Sequence, residues 1–172
     1  MQNEPQVECP EAKSPFRTWR ILFLDGAKNI ERLKVTCKVA GHMVVGAHTI
    51  EEAWARLAQD PVDVIVCAAH LEEGSTFQFL QEVRRSKVHR NARFLILSLT
   101  TGAIGERLHR STASAGMALG ADAYAIMSVF DPEELVALIK ILQLPVSMRQ
   151  PWAPAKEGGP GAIAGPKVIH AS

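Results

Sequence analysis

Two stretches of this chain, Asp63 to Ala68 (DVIVCA) and Arg93 to Leu99 (RFLILSL), are apolar almost throughout. A strand with one face in water alternates polar and apolar side chains, so uninterrupted runs belong to strands covered on both faces, as in a parallel sheet between layers of helix. Parallel neighbours cannot be joined by a tight turn, and each connection has to cross over, usually through a helix. The rest of the chain should therefore alternate strand and helix.

It does. Arg20 to Leu24 (RILFL) reads as a first strand that stops at Asp25-Gly26, and Ile30, Leu33, Cys37 and Ala40 then fall on one face at helical spacing. Gly41 ends that helix, and Met43 to Ala47 (MVVGA) makes a second strand. Thr49-Ile50-Glu51-Glu52 is a capping box, and Ile50, Ala53, Trp54 and Leu57 supply the buried stripe behind it. Asp60-Pro61 breaks the second helix before the third strand, DVIVCA. Phe77, Leu80 and Val83 mark a third helix, RFLILSL the fourth strand, and a Gly/Ser/Thr-punctuated helix runs from about Ala103 to Leu119. Asp122 to Met127 (DAYAIM) is the fifth strand. Asp131-Pro132-Glu133-Glu134 opens the last helix with an N-cap Asp and a Pro at the first helical position, and Leu135, Leu138, Ile139 and Leu142 form its core face.

Five strands alternating with five helices imply right-handed crossovers and a single doubly wound α/β domain with a five-stranded parallel sheet and helices on both faces. In such sheets the functional crevice lies at the carboxyl ends of the strands. The residues there are Asp25 and Gly26, Ala68 to Leu71, Ser98 to Thr101, and Met127 with Ser128. The domain should occupy residues 19–144. Residues 1–18, with three prolines and no hydrophobic period, and the Pro/Gly/Ala-rich residues 145–172 read as flexible tails.

Composition narrows the functional classes. With 19 basic and 18 acidic side chains the net charge is +1, which gives no global field for nucleic acid or an acidic membrane surface. Cys9, Cys37 and Cys67 are odd in number and widely spaced, against a disulfide framework or structural zinc. The N-terminus (MQNEPQVECPEAKSP) lacks the apolar core of a signal peptide, and no run approaches the ~20 apolar residues of a membrane span. A reducing, cytoplasmic setting is expected, with neither nucleic acid nor membrane as partner.

Taken in order, RILFLDG, GHMVVGAHTIEEAWARL, PVDVIVCAAHL and GADAYAIMSVFDPEEL resemble the receiver domain of two-component response regulators (CheY-like), over roughly residues 19–144. The resemblance implies strand order 2-1-3-4-5 and a bacterial signalling protein without an output domain. Its partners would be proteins such as a histidine kinase or a regulator, and a homodimer through the face of helix 4, strand 5 and helix 5 is among the implied arrangements. Active receivers are similar in carrying an acidic pair after the first strand, a phosphoacceptor Asp ending the third, a hydroxyl ending the fourth and a Lys ending the fifth. Here those positions read Asp25-Gly26, Ala68, Ser98 and Met127. Mg²⁺ needs carboxylate oxygens in near-octahedral geometry and an acyl phosphate needs a carboxylate nucleophile. Ala68 offers no nucleophile, Met127 no cation, and Gly26 no metal ligand, which leaves Asp25 as a weak Mg²⁺ candidate. The expectation is a degenerate phosphorylation pocket, a pseudo-receiver that is not an enzyme, takes no cofactor and acts by phosphorylation-independent protein contact.

Other features carry alternatives. Ser98 and Tyr124 stand where the resemblance places a hydroxyl-aromatic switch pair; the plainer reading has Tyr124 half-buried with its hydroxyl wet. The stretch from Ser98 to Tyr124 is ~7 residues longer than the family implies, and one residue is added after the fifth strand (IMSVFDPEEL). Cys67 and His70 could serve redox or metal chemistry, although a lone buried Cys is ordinarily a small hydrophobe. Glu72 and Glu73 sit in a loop that solvates carboxylates. The basic run Arg84, Arg85, Lys87, His89, Arg90 and Arg93 could touch phosphates, yet cations also suit a helix C-terminus. Trp152 among prolines could dock on a partner. A phosphorylatable receiver with a non-standard site, or a flavodoxin-like enzyme using Cys67 or Asp25, are the alternatives; the latter would need a glycine-rich phosphate loop, and DGAKN holds one glycine.

Overall fold

The computed structural model describes residues 17–99, 103–144 and 167–170, with side chains left aside at 103–110 and 167–170. Cys9, Trp152 and most of both expected tails lie outside these residues. The elements run β1 (Arg20–Leu24), α1 (Ala27–Val39), β2 (Met43–Ala47), α2 (Ile50–Gln59), β3 (Val64–Ala68), α3 (Thr76–Arg85), β4 (Arg93–Leu99), α4 (Ala103–Ala118), β5 (Ala123–Met127), α5 (Pro132–Gln143) and β6 (Lys167–His170). The first five strands form the expected all-parallel sheet in order 2-1-3-4-5.

One strand was not foreseen. β6, within the stretch read as a Pro/Gly/Ala-rich tail, adds antiparallel to β5 and extends the sheet to six strands. Four residues (KVIH) behind Pro166 are too few to show a period of two, and the surrounding composition hides them.

Each strand sends alternate side chains to opposite faces, and two cores result. Phe23, Val66, Leu97 and Ala125 pack with Ile30, Leu33 and Cys37 of α1 and with Leu135, Leu138, Ile139 and Leu142 of α5. Leu22, Ile65, Ile96 and Tyr124 pack with Leu57 of α2, Phe79, Leu80 and Val83 of α3, and Ala113 of α4. The helix starts follow local chemistry. Thr49 Oγ1 accepts from the Glu52 amide at 3.1 Å while the Glu52 carboxylate takes the His48 amide at 2.8 Å. Ser75 caps α3, and Asp131 Oδ1 accepts from the amides of Glu133 and Glu134. Gly116 lets α4 lie close on the sheet: a Cβ there would sit 2.8 Å from Ile96 Cδ1.

Below the strands, the amide of Trp19 donates to His42 Nδ1 at 3.2 Å. An accepting Nδ1 puts the ring proton on Nε2, which is buried and has no partner among the described residues. Burial first, and Lys140 second, hold the His42 pKa below its ordinary value near 6.5. The unfolded chain therefore takes up this proton as pH falls through about 6.5, before the folded chain does. His42 should make unfolding easier as pH drops below that point, with a slope of at most about 1.4 kcal/mol per pH unit. Urea unfolding between pH 7.5 and 5 should show this slope, reduced in His42→Asn, whose amide oxygen can still accept from Trp19. Equal slopes in the two proteins would exclude His42 as its source.

Candidate functional site

The carboxyl ends of β1 and β3 open into a cleft of about 410 Å³ lined by Asp25, Gly26, Ala27, His48, Ala68, His70, Leu71 and Glu72. Three of the sequence-derived pocket positions, Asp25, Gly26 and Ala68, are thus brought together. Ser98 and Met127, at the ends of β4 and β5, do not line the cleft. Ser98 is 1% exposed and Met127 2% exposed, the latter within the apolar core beside Phe23 and Phe130.

Asp25 is occupied locally. Its Oδ1 accepts from the Gly26 amide at 2.6 Å and its Oδ2 from Asn29 Nδ2 at 3.1 Å, so the carboxylate ties the turn to the first turn of α1. His48 Nδ1 lies 3.3 Å from the Asp25 carbonyl oxygen. Burial raises the Asp25 pKa, and the two hydrogen bonds oppose the rise. Mg²⁺, which the receiver resemblance implies, does not fit this donor set: besides the engaged Asp25 and the exposed Glu72 the cleft offers a glycine and an alanine where a hard cation needs further oxygens. Among the described residues no group of three His, Cys, Asp or Glu side chains could hold a metal ion.

Cys67 faces the other way. It is 0% exposed, its thiol lies 3.7 Å from Thr76 Oγ1, and burial pushes its pKa up to about 12, with the charge on Asp25 adding to the rise. A thiol so protonated at neutral pH is no nucleophile. Thr76 Oγ1 donates to the Ala68 carbonyl at 2.7 Å, joining the start of α3 to the end of β3. Neither Thr76 nor Asn29 nor His48 was singled out in the sequence. Thr76 is the second member of a Ser-Thr pair whose first member caps α3, and Asn29 sits four residues after Asp25, a spacing that brings side chains together on a helix.

Tyr124 is 0% exposed, and its hydroxyl is hydrogen-bonded to the Ser98 side chain. The half-buried, wet tyrosine of the plainer reading is therefore corrected: the ring sits in the core under α4, and Ser98 is its polar partner. The loop carrying the added residue after β5 is anchored by Phe130, which stacks on Phe23 at 5.8 Å and lies under the Arg32 guanidinium at 5.2 Å.

The basic run divides. Arg84 donates to the carbonyl oxygens of Gly120, Arg90 and Ala92 and to Asp122 Oδ2, while Arg93 reaches Asp122 Oδ1. Those two arginines hold β4 and β5 together at their amino ends. Glu72 and Glu73 are exposed, as expected for a solvated loop.

Strand order, helix layering and the position of the crevice define a receiver-type, CheY-like α/β fold. The solved structures agree with this. The chain is similar to the chemotaxis response regulator CheY4 of Vibrio cholerae (22% identity, TM-score 0.61, covering 72% of this chain and 97% of that one). It is similar as well to a two-component response regulator from Clostridium difficile (22%, TM-score 0.58, 72% and 93%) and to the receiver domain of Francisella response regulator 1452 (21%, TM-score 0.58, 73% and 96%). No protein-family model matches the sequence, and no curated protein matches it. Among the described residues no helix is long and apolar enough to cross a membrane.

Proposed function

We propose that this chain is a pseudo-receiver that acts in bacterial signal transduction, in the cytoplasm, by binding other proteins without being phosphorylated. The observation that carries the reading is the crevice: Ala68 stands at the end of β3, and the only carboxylate of the turn after β1, Asp25, is engaged by Gly26 and Asn29. Acyl phosphate formation has no carboxylate to attack from at Ala68. Met127, sunk in apolar core, supplies no cation to offset phosphoryl charge. Signal transfer then has to use surfaces, and the expected partners are kinases, regulators or other signalling proteins. The Ser98–Tyr124 pair serves this reading as a hydroxyl-aromatic contact already made without phosphate, which a partner can bias between two arrangements.

Amide chemical shifts recorded while Mg²⁺ and then beryllofluoride are added test the reading. No saturable change around Asp25, Ala68 and Ser98 is expected up to millimolar ligand. Saturable shifts there would reinstate a phosphoacceptor and overturn the proposal.

A further inference from the structure

A parallel sheet in the order 2-1-3-4-5 leaves β5 at its margin, and an edge strand presents a row of unpaired N–H and C=O groups. In this protein that row is taken. β6 lies antiparallel along it, pairing Ala123 with His170, Tyr124 with Ile169, Ala125 with Val168 and Ile126 with Lys167. At the opposite margin, β2 pairs with β1 alone among the described residues.

The connection is long for this arrangement. The end of α5 (Leu142, Gln143) shares a pocket with Trp19, Val62 and Arg93, the residues just before or at the starts of β1, β3 and β4. The chain must therefore return along the length of β5, about 17 Å, before β6 runs back down it. The stretch 145–166 provides roughly 20 residues, and at up to ~3.3 Å per residue that is more than enough chain to cover the distance. A covalent link of this length keeps β6 at an effective concentration on the order of millimolar. Four paired residues form few hydrogen bonds, each contributing about 1 kcal/mol net, so releasing β6 costs far less than unfolding the sheet.

We propose that the outer edge of β5 is a docking site for an extended segment of a protein partner, and that β6 fills this site in the free chain. A second copy's β6 is the same segment without the tether's advantage, so it does not displace the resident strand at ordinary concentrations. A better-fitting segment does. Met127 lies one residue beyond the four that are paired, and the residue before β6 is Pro166, which has no N–H to donate. Close by in the chain, Val129 is 70% exposed, and Leu99, in register with Met127, is 41% exposed. The partner segment is accordingly an antiparallel strand at least one residue longer than β6, with a non-proline residue opposite Met127 and an apolar side chain to cover Val129. The inference rests on the proposed partner-binding role only for the existence of a partner. The crevice titration and the edge titration read different atoms, so either idea can fail alone.

The test uses the full chain carrying Val168→Pro or, separately, Ile169→Pro. Neighbouring residues of a strand turn their N–H groups to opposite sides, so one of the two removes a donor facing β5. Amide exchange at Ala123–Ile126 should speed up roughly tenfold or more in that variant while the amides of β3 stay protected. A labelled synthetic peptide of residues 164–172 with Pro166→Ala should then bind the variant at least ~10-fold more tightly than it binds the wild type. The same peptide with Val168→Pro and Ile169→Pro should not bind. Unchanged exchange in both variants would overturn the proposal, as would faster exchange without peptide capture. Wild-type dimers that vanish in the variants, with no peptide bound, would assign the edge to a second copy and overturn it equally.

Discussion

Asp122→Ala is expected to lower the unfolding free energy by about 3 kcal/mol, which for a chain of this size is a fall in Tm of roughly 10 °C. Asp122 is the acceptor on which the amino ends of β4 and β5 converge. Its Oδ2 takes the Phe94 amide at 2.8 Å and Arg84 Nη2 at 2.9 Å, and its Oδ1 takes Arg93 Nη1 at 2.8 Å. The Asp122 side chain is only 16% exposed and that of Arg84 21%, so water does not fully replace a lost partner; Arg93, at 37%, is better solvated and adds less. Alanine leaves the Phe94 amide unpaired and a part-buried guanidinium without its anion, and stranded partners of this kind account for most of the cost. Arg84 keeps its bonds to the Gly120, Arg90 and Ala92 carbonyls, which limits the damage. Asp122→Asn can still accept from Phe94 and should lose about half as much. Urea midpoints of the three proteins decide the matter, and a loss under about 1 kcal/mol in the alanine variant would show that the network is incidental.

Phe79→Ala should cost more, about 4 kcal/mol. Phe79 is fully buried on α3, meets Trp54 edge-on at 5.4 Å and 82°, and lies 5.9 Å from Phe94. These rings join α2 and α3 to the sheet. Removing one leaves a cavity among packed core side chains, whereas Phe79→Leu fills most of it and should cost less than half as much. Because Trp54 also holds Glu82 of α3 through its indole N–H (3.3 Å), its fluorescence should report the loosening directly. An unchanged denaturant midpoint in the alanine variant would contradict this packing.

The five parallel strands were legible because RFLILSL and VIVCA admit few other placements, and the helix starts were legible because Thr49 and Asp131 carry their own hydrogen-bond acceptors. Less was visible on α3. Phe77, Leu80 and Val83 mark its stripe, but the most buried ring, Phe79, lies between stripe positions and is picked out only by the aromatic neighbours the fold brings to it. The crevice was legible in part by strand ends: Asp25, Gly26 and Ala68 line one cleft. What a linear reading could not supply was orientation. Met127 and Ser98 are placed at strand ends by sequence, yet both side chains are buried away from the cleft. The basic run looked like a charged surface until the fold set Asp122 beside Arg84 and Arg93, residues 38 and 29 positions away.

The late position of β6 has a consequence in time. Everything that builds the parallel sheet is encoded by Leu144, whereas the strand that seals its margin comes later. At a synthesis rate of roughly 5–20 residues per second, the stretch from there to the end of β6 takes a few seconds to make. During that interval the nascent chain can hold a finished sheet with a bare β5, and any extended segment waiting at the ribosome meets it without a competitor. Assembly with a partner during translation, rather than after release, is the stage at which this edge is easiest to occupy.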